Sequence, residues 1–231
     1  MVSSCDDYDS WTADPQAQLT FGRDTVSFDT IISTVSSSTQ RLLVYNNNES
    51  GLRISEVRLK HAGNSPFRVN VDGQFLHDGQ GTDFEVRKND SIFVLVEVTL
   101  PDTGGDTIAM HTDSLCFRLQ SGVLQYVTLM AGGQNALHWR GVRVFDQDTI
   151  LQSRRPVIVY DSLYVSSGTT LTIEAGTQLY FHQQASMCVD GTLVVNGTME
   201  NPVVFRGDRT GNLFDYLPYD NTPQQWGGVY L

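Results

Sequence analysis

From residue 170 onward the chain carries six carboxylates, Glu174, Asp190, Glu200, Asp208, Asp215 and Asp220. Acid–base cleavage of a glycan needs two such groups held a few ångströms apart, one protonated and one ionised. Glu174 and Asp190, sixteen residues apart, are the best-spaced pair, each following an apolar triplet. Their contexts, Glu174-Ala175-Gly176 and Asp190-Gly191, read better as turns, so no catalytic pair is expected. His182 stands alone on an apolar stretch, and His61, His77, His111 and His138 are equally scattered. No zinc set emerges from them. Nucleophile-elbow, P-loop and dinucleotide fingerprints are missing, so neither an enzyme nor a cofactor is expected.

The residues best suited to binding lie in and beside Gly207–Gln225. Phe214, Tyr216, Tyr219 and Trp226 are flat rings that can stack on sugars, and Asp208, Asp215 and Asp220 can bond hydroxyls or a cation. The other reading is that these rings plug a gap beneath a loop. Elsewhere, Asp followed by Ser or Thr and an aliphatic residue occurs seven times, offering Thr25, Thr30, Ser91, Thr107, Ser114, Thr149 and Ser162. This triplet resembles the acceptor motif of a periplasmic O-glycosylation system of Gram-negative bacteria. A turn aspartate leading into a strand produces the same text.

Of the three cysteines, Cys116 and Cys188 sit in apolar runs and read as small buried hydrophobes. Cys5 follows Val2-Ser3-Ser4, and that stretch resembles a bacterial lipobox. The acidic Asp6-Asp7-Tyr8-Asp9 resembles the signal that sends some lipoproteins to the outer cell surface. The resemblance implies lipid on Cys5, attachment to the outer membrane and exposure to the exterior. Neither a basic nor an apolar run precedes Cys5, so a trimmed or misplaced start is part of this expectation. No stretch of roughly eighteen apolar residues occurs, so attachment would be through lipid alone. The formal net charge of −11 argues against nucleic acid as a partner.

The elements that must position these residues are strands. Residues 1–17 read as a polar tether and residues 18–133 as strand after strand. Phe67, Val69 and Val71 alternate with Arg68, Asn70 and Asp72, and Ile92 to Val98 alternate likewise. Leu42-Leu43-Val44-Tyr45-Asn46, Ile54–Val57 and Lys88–Leu100 resemble the strand signatures of ASH/MSP-type Ig-like β-sandwiches. Residues 134–157 are expected to be a connector.

From 158 to 231 the rhythm changes. Leu163, Leu171, Leu179 and Met187 recur at steps of eight, each opening a short apolar strand, with Gly-Thr dipeptides between. Strands this short suit a solenoid rather than independent hairpins. Residues 171–209 and 226–231 resemble the right-handed parallel β-helix, pectin-lyase-like proteins of Gram-negative surface lipoproteins. The fold expected is therefore all-β, an Ig-like sandwich followed by the first coils of a parallel β-helix. Trp226–Leu231 reads as a fresh strand with nothing to stack on, so the chain is expected to be C-terminally truncated or capped by a mate. The function implied is a binding or structural surface lipoprotein presenting its coils to glycan or protein. The alternative is the N-terminal part of a polysaccharide lyase or hydrolase whose active site lies on further coils.

The anchor is directly testable. Cells expressing the full precursor should incorporate labelled palmitate into the wild type and not into Cys5→Ala. Equal labelling of both proteins would remove the lipid from the account.

Overall fold

The computed structural model describes residues 10–214 and 217–231. The chain divides into two compact units. The first comprises the chain to Asp29, Thr39–Leu100 and Met110–Ala131, and the second comprises Thr30–Ser38, Pro101–Ala109 and Gly132–Leu231. Among the described residues the regular structure is extended, apart from single 3-10 turns at Ala62–Asn64 and Tyr219–Asn221.

The first part of the chain supplies β1 (Trp11–Thr12), β2 (Thr20–Phe21), β3 (Thr25–Ile32), β4 (Gln40–Asn46) and β5 (Gly51–Leu59). Then come β6 (Phe67–Val71), β7 (Gln74–Phe75), β8 (Gln80–Val86), β9 (Asp90–Val98), β10 (Ala109–Leu119) and β11 (Leu124–Gln134). One sheet has the order β1-β5-β10-β11-β3, with β8 also paired to β5, and the other β2-β4-β9-β6-β7. Pairing is antiparallel throughout the second sheet. Period-two alternation buries Phe67, Val69 and Val71 on β6 and Ile92, Val94, Val96 and Val98 on β9. Their outward neighbours pair across strands, as Arg68 does with Glu97 at 3.3 Å. Ring contacts between Phe28 and Phe67 and between Phe21 and Phe117 join the inner faces of the two sheets.

Asn46 closes β4 with no exposed surface. Its Nδ2 donates to the carbonyls of Ser50, Val86 and Arg87 at 2.9 to 3.1 Å. Its Oδ1 accepts from the Asn48 backbone and side chain. A single amide thereby satisfies carbonyls from the turn after β4 and from the end of β8, a set no apolar residue could serve.

The second unit supplies β12 (Leu137–Trp139), β13 (Arg143–Phe145), β14 (Thr149–Leu151), β15 (Val157–Val159), β16 (Leu163–Val165) and β17 (Thr170–Glu174). It continues with β18 (Gln178–Phe181), β19 (Ser186–Val189), β20 (Thr192–Asn196) and β21 (Val204–Gly207). A small antiparallel pair, β22 (Asn212–Phe214) and β23 (Leu217–Pro218), precedes β24 (Gly228–Tyr230).

Three parallel sheets result, β12-β15-β18-β21, β13-β16-β19-β24 and β14-β17-β20. The chain visits them in rotation, so each strand pairs with the one laid down a circuit earlier. Val157 pairs with Leu179, Leu163 with Met187 and Leu171 with Leu193. The eight-residue rhythm is thus the step from sheet to sheet, and three steps carry Leu163 to Met187. The segment 134–157, expected as a connector, forms the first tier with β12, β13 and β14. Its strands escape a sequence reading because they are three residues long and lack the Gly-Thr punctuation of later tiers. The circuit lengthens most between Met187 and its partner Val229, because Gly207–Gln225 is inserted there.

Val157, Val159, Leu163, Val165, Leu171, Ile173, Leu179, Phe181 and Met187 fill the interior at 1% exposure or less. On the first tier Trp139 packs against this core, with the Arg143 guanidinium 4.1 Å from its ring centroid. Alternation also corrects an expectation. Cys116 is buried, but Cys188 points outward between buried Met187 and Val189 and is partly exposed. Turns between tiers are tight. A Cβ on Gly191 would lie 2.3 Å from the carbonyl oxygens of Ser166 and Thr169, so no side chain fits.

Replacing Asn46 with Ala strips donors from three carbonyls in the first unit and should cost about 2–4 kcal/mol. Denaturant unfolding of both proteins, followed by far-UV circular dichroism and by the summed fluorescence of Trp11, Trp139 and Trp226, would report it. A loss below about 1 kcal/mol would mean that water substitutes for the amide.

Candidate functional site

Just beyond the sheet β12-β15-β18-β21, residues from successive tiers stand one above another. Tyr160, His182 and Asp208 each donate a backbone N–H to a carbonyl one tier earlier, those of Trp139, Val159 and Phe181. That register builds a column of Arg140, Tyr160, His182 and Asp208. The Arg140 guanidinium lies 4.1 Å from the Tyr160 ring centroid. The Tyr160 and His182 rings are 5.5 Å apart. His182 Nδ1 meets Asp208 Oδ2 at 2.7 Å. His138 joins from the side, stacked on Tyr160 with its Nδ1 3.0 Å from the phenol oxygen.

The contacts fix what this column can do. Asp208 orients the His182 ring through Nδ1, leaving Nε2 on a side chain about half exposed. A carboxylate-oriented histidine is one part of a general-base arrangement. Among the described residues, however, its recorded partners are Asp208 and the Tyr160 ring, with no nucleophile hydrogen-bonded to it. The column is therefore a row of rings and hydrogen-bonding groups facing solvent. Burial, and next the nearby Arg140 charge, hold His138 below its ordinary titration range, partly opposed by Asp102.

Three hollows adjoin the column. One, of about 270 Å³, is lined by His182, Asp208, Arg209, Thr210 and Tyr219 and walled by Ile31, Ile32 and Val35–Ser38 of the same unit. The second, of about 350 Å³, shares Arg209 and Tyr219 and adds Val204–Gly207, Gln224, Gln225 and Trp226. The third, of about 360 Å³, shares His182 and adds Val142, Tyr160, Asp161, Ser162, Gln183 and Gln184.

Of the binding residues expected from sequence, the structure brings Tyr219 and Trp226 to one hollow and Asp208 and Tyr219 to another. Tyr219 is partly buried, with the Arg209 guanidinium 5.6 Å from its ring centroid. Trp226 lies flat on Phe181, centroids 4.4 Å apart and planes 16° apart, so that face is committed to the core. Asp215 and Tyr216 fall outside the described residues, as do the side chains of Phe214 and Asp220 and all of Cys5. Glu174 and Asp190 are not brought together. Glu174 ends β17 and accepts from Asn196, whereas Asp190 follows β19 on another sheet. The glycosylation triplets separate by context. Thr107 is exposed outside any strand, beside an Asp106 paired to Arg155 at 2.6 Å. Thr25, Thr30, Ser91, Ser114, Thr149 and Ser162 are partly buried in strands or at their starts. In the triplet at Ser114 the aspartate itself is buried, with Asp113 held 3.1 Å from His61.

Sequence reasoning missed Arg140, Tyr160 and His182 as a group because it read histidines as isolated points. The signal was present. Tyr160 and His182 are separated by the same interval as the ladder partners Val157 and Leu179.

No protein-family model matches the chain, and no curated protein matches it. Solved structures that match include the CupB6 tip adhesin of Pseudomonas aeruginosa, at 12% identity and a TM-score of 0.37. That match covers 51% of this chain and 41% of the adhesin. ASH/PapD-like domain 7 of human CEP192 matches at 11% identity and a TM-score of 0.34, over 54% of this chain and 90% of the domain. A family 123 glycoside hydrolase from Clostridium perfringens matches at 6% and 0.34, over 51% of this chain and 26% of the enzyme. These likenesses assign this chain no activity, ligand or partner.

The lowered pKa of His138 gives stability a pH dependence. The folded protein keeps this ring neutral where the unfolded chain, titrating near 6.5, takes up a proton. Its contribution is complete above that pH and declines as pH falls through 6.5 toward the lower folded value. Melting temperature should therefore fall more between pH 7 and pH 5 for wild type than for His138→Gln. Parallel curves for the two proteins would remove His138 from the acid sensitivity.

Proposed function

We propose that this chain is a non-catalytic binding lipoprotein of the bacterial outer surface that takes a glycan on its coils. In this reading an Ig-like sandwich precedes the first turns of a right-handed parallel β-helix. The rotation of the chain through three parallel sheets supports the second part, because strand–crossover–strand connections are right-handed in nearly all proteins. Lipid on Cys5 would hold the molecule at the membrane, as its lipobox-like context implies.

The observation that carries the glycan is the hollow beside His182. Sugars present hydroxyls that both donate and accept, on a ring with one apolar face. They are held by clustered polar groups of both kinds beside an aromatic side chain. Asp208 accepts, Arg209 donates, and His182, Thr210 and the hydroxyls of Ser36–Ser38 supply mixed groups, with Tyr219 as the ring. The insertion Gly207–Gln225 provides Asp208, Arg209, Thr210 and Tyr219, which matches the habit of solenoids to place binding groups on insertions at one face.

Tyr219→Ala and Asp208→Asn should each weaken glycan binding about tenfold or more, roughly 1.4 kcal/mol, in a glycan array followed by calorimetry. Melting temperature should stay within about 2 °C, since both residues are partly solvent-exposed. Unchanged binding in both variants would move the site elsewhere. A large loss of stability in Tyr219→Ala would make that ring a plug.

A further inference from the structure

The outer faces of the three parallel sheets differ in what covers them. On β12-β15-β18-β21 the outward Ile158 and Tyr180 are buried, packed with Ile32 and Ala136. On β14-β17-β20 the outward positions include a charge, Glu174, which accepts from Asn196. The face of β13-β16-β19-β24 is exposed, and none of its outward sheet positions is charged, in a chain whose formal net charge is −11.

Register arranges that face in two columns. Val144, Tyr164, Cys188 and Tyr230 form one, with Val144 54%, Tyr164 40% and Tyr230 58% exposed. Val142, Ser162, Ser186 and Gly228, two residues earlier on each tier, form the other. The first column is the taller, since Tyr164 stands beside Ser162 and Tyr230 beside Gly228. In the short column the hydroxyls of Ser162 and Ser186 meet at 3.2 Å, so they serve one another. The margins differ as well. Exposed Gln183 and Gln184 lie beyond the short column, and exposed Asp190 lies beyond the tall one on the same tier.

From these columns we infer that the face docks a second copy of this chain, across a two-fold axis parallel to the stacking direction. Such an axis keeps every tier at its own height and sets the tall column of each copy against the short column of the other. Tyr164 then fills the space over Ser162 of the second copy, and Tyr230 the space over Gly228. The margins cross in the same way, bringing the amide donors of Gln183 and Gln184 against Asp190 of the second copy. Two chains of net charge −11 repel each other, and a face without charge is where their approach costs least. Four tiers about 4.8 Å apart, with strands rising about 3.3 Å per residue, give a patch of roughly 300 Å². That falls short of the roughly 800 Å² per partner of a stable interface, so the dimer is a weak one.

The test is sedimentation equilibrium of the full chain carrying Cys5→Ser, over a concentration series up to about 1 mM. A monomer–dimer equilibrium is expected. Adding Tyr164→Glu or Val144→Glu should weaken it about tenfold or more, with melting temperature within about 3 °C of the parent. Either variant carries the test if the other fails to fold. Thr172→Glu, on the face of β14-β17-β20, should leave the equilibrium unchanged. Gln184→Arg sets a cation against Asp190 of the second copy and should tighten it about threefold at low salt. A short bismaleimide should join Cys188 to Cys188 within the dimer, since Cys116 is buried. A chain monomeric throughout the series would overturn the inference. So would a dimer that both glutamate variants leave intact, or one that Gln184→Arg loosens.

Discussion

The register between successive tiers is the constraint on which the second unit depends. A strand of three residues such as Leu163–Val165 can neither bury its apolar face nor satisfy its backbone alone. It does both only when the strand one circuit earlier and the strand one circuit later lie beside it in parallel. Because side chains alternate with a period of two, a slip of one residue would turn Leu163, Leu179 and Met187 to solvent and bring Tyr164, Tyr180 and Cys188 inside. The close packing of nine nearly unexposed aliphatic and aromatic side chains therefore selects one register.

The outward surface inherits that register without being selected by the core. Once Val159 is locked beside Phe181 and Trp139, the next residues, Tyr160, His182 and Arg140, must stand in line. Their contacts then form at little further cost in chain entropy, because the backbone under them is already fixed. Cation–ring, ring–ring and histidine–carboxylate contacts follow one another down the column. A ligand meeting it meets groups whose positions are set before binding, which reduces what association must spend on ordering them.

The first unit solves its interior differently. Its sheets meet through aliphatic and phenylalanine side chains, yet Asn46, a fully buried polar residue, sits at the end of β4. It is tolerated because all of its hydrogen-bonding capacity is used within a few residues of two turns. Buried amides of this kind fix geometry that hydrophobic packing leaves loose, since each donor direction must find its own acceptor. The left-handed backbone at Asn89, in the turn that leads into β9, belongs to the same region.

Much of this was legible in the amino-acid sequence alone. Alternation of apolar and polar residues located the strands from Val26 to Met130, and the eight-residue spacing of Leu163, Leu171, Leu179 and Met187 announced short strands in repeating circuits. Both signals survive because burial demands them locally. The first tier was not legible, since Leu137–Leu151 carries the strands without the Gly-Thr turns. Nor was the outward direction of Cys188, which depends on which of two alternating faces meets the core. The gathering of Arg140, Tyr160, His182 and Asp208 was decided only by tertiary structure. Residues twenty or more positions apart become neighbours through hydrogen-bond register between tiers, and the sequence records the length of each circuit but not which residues the ladder will set face to face.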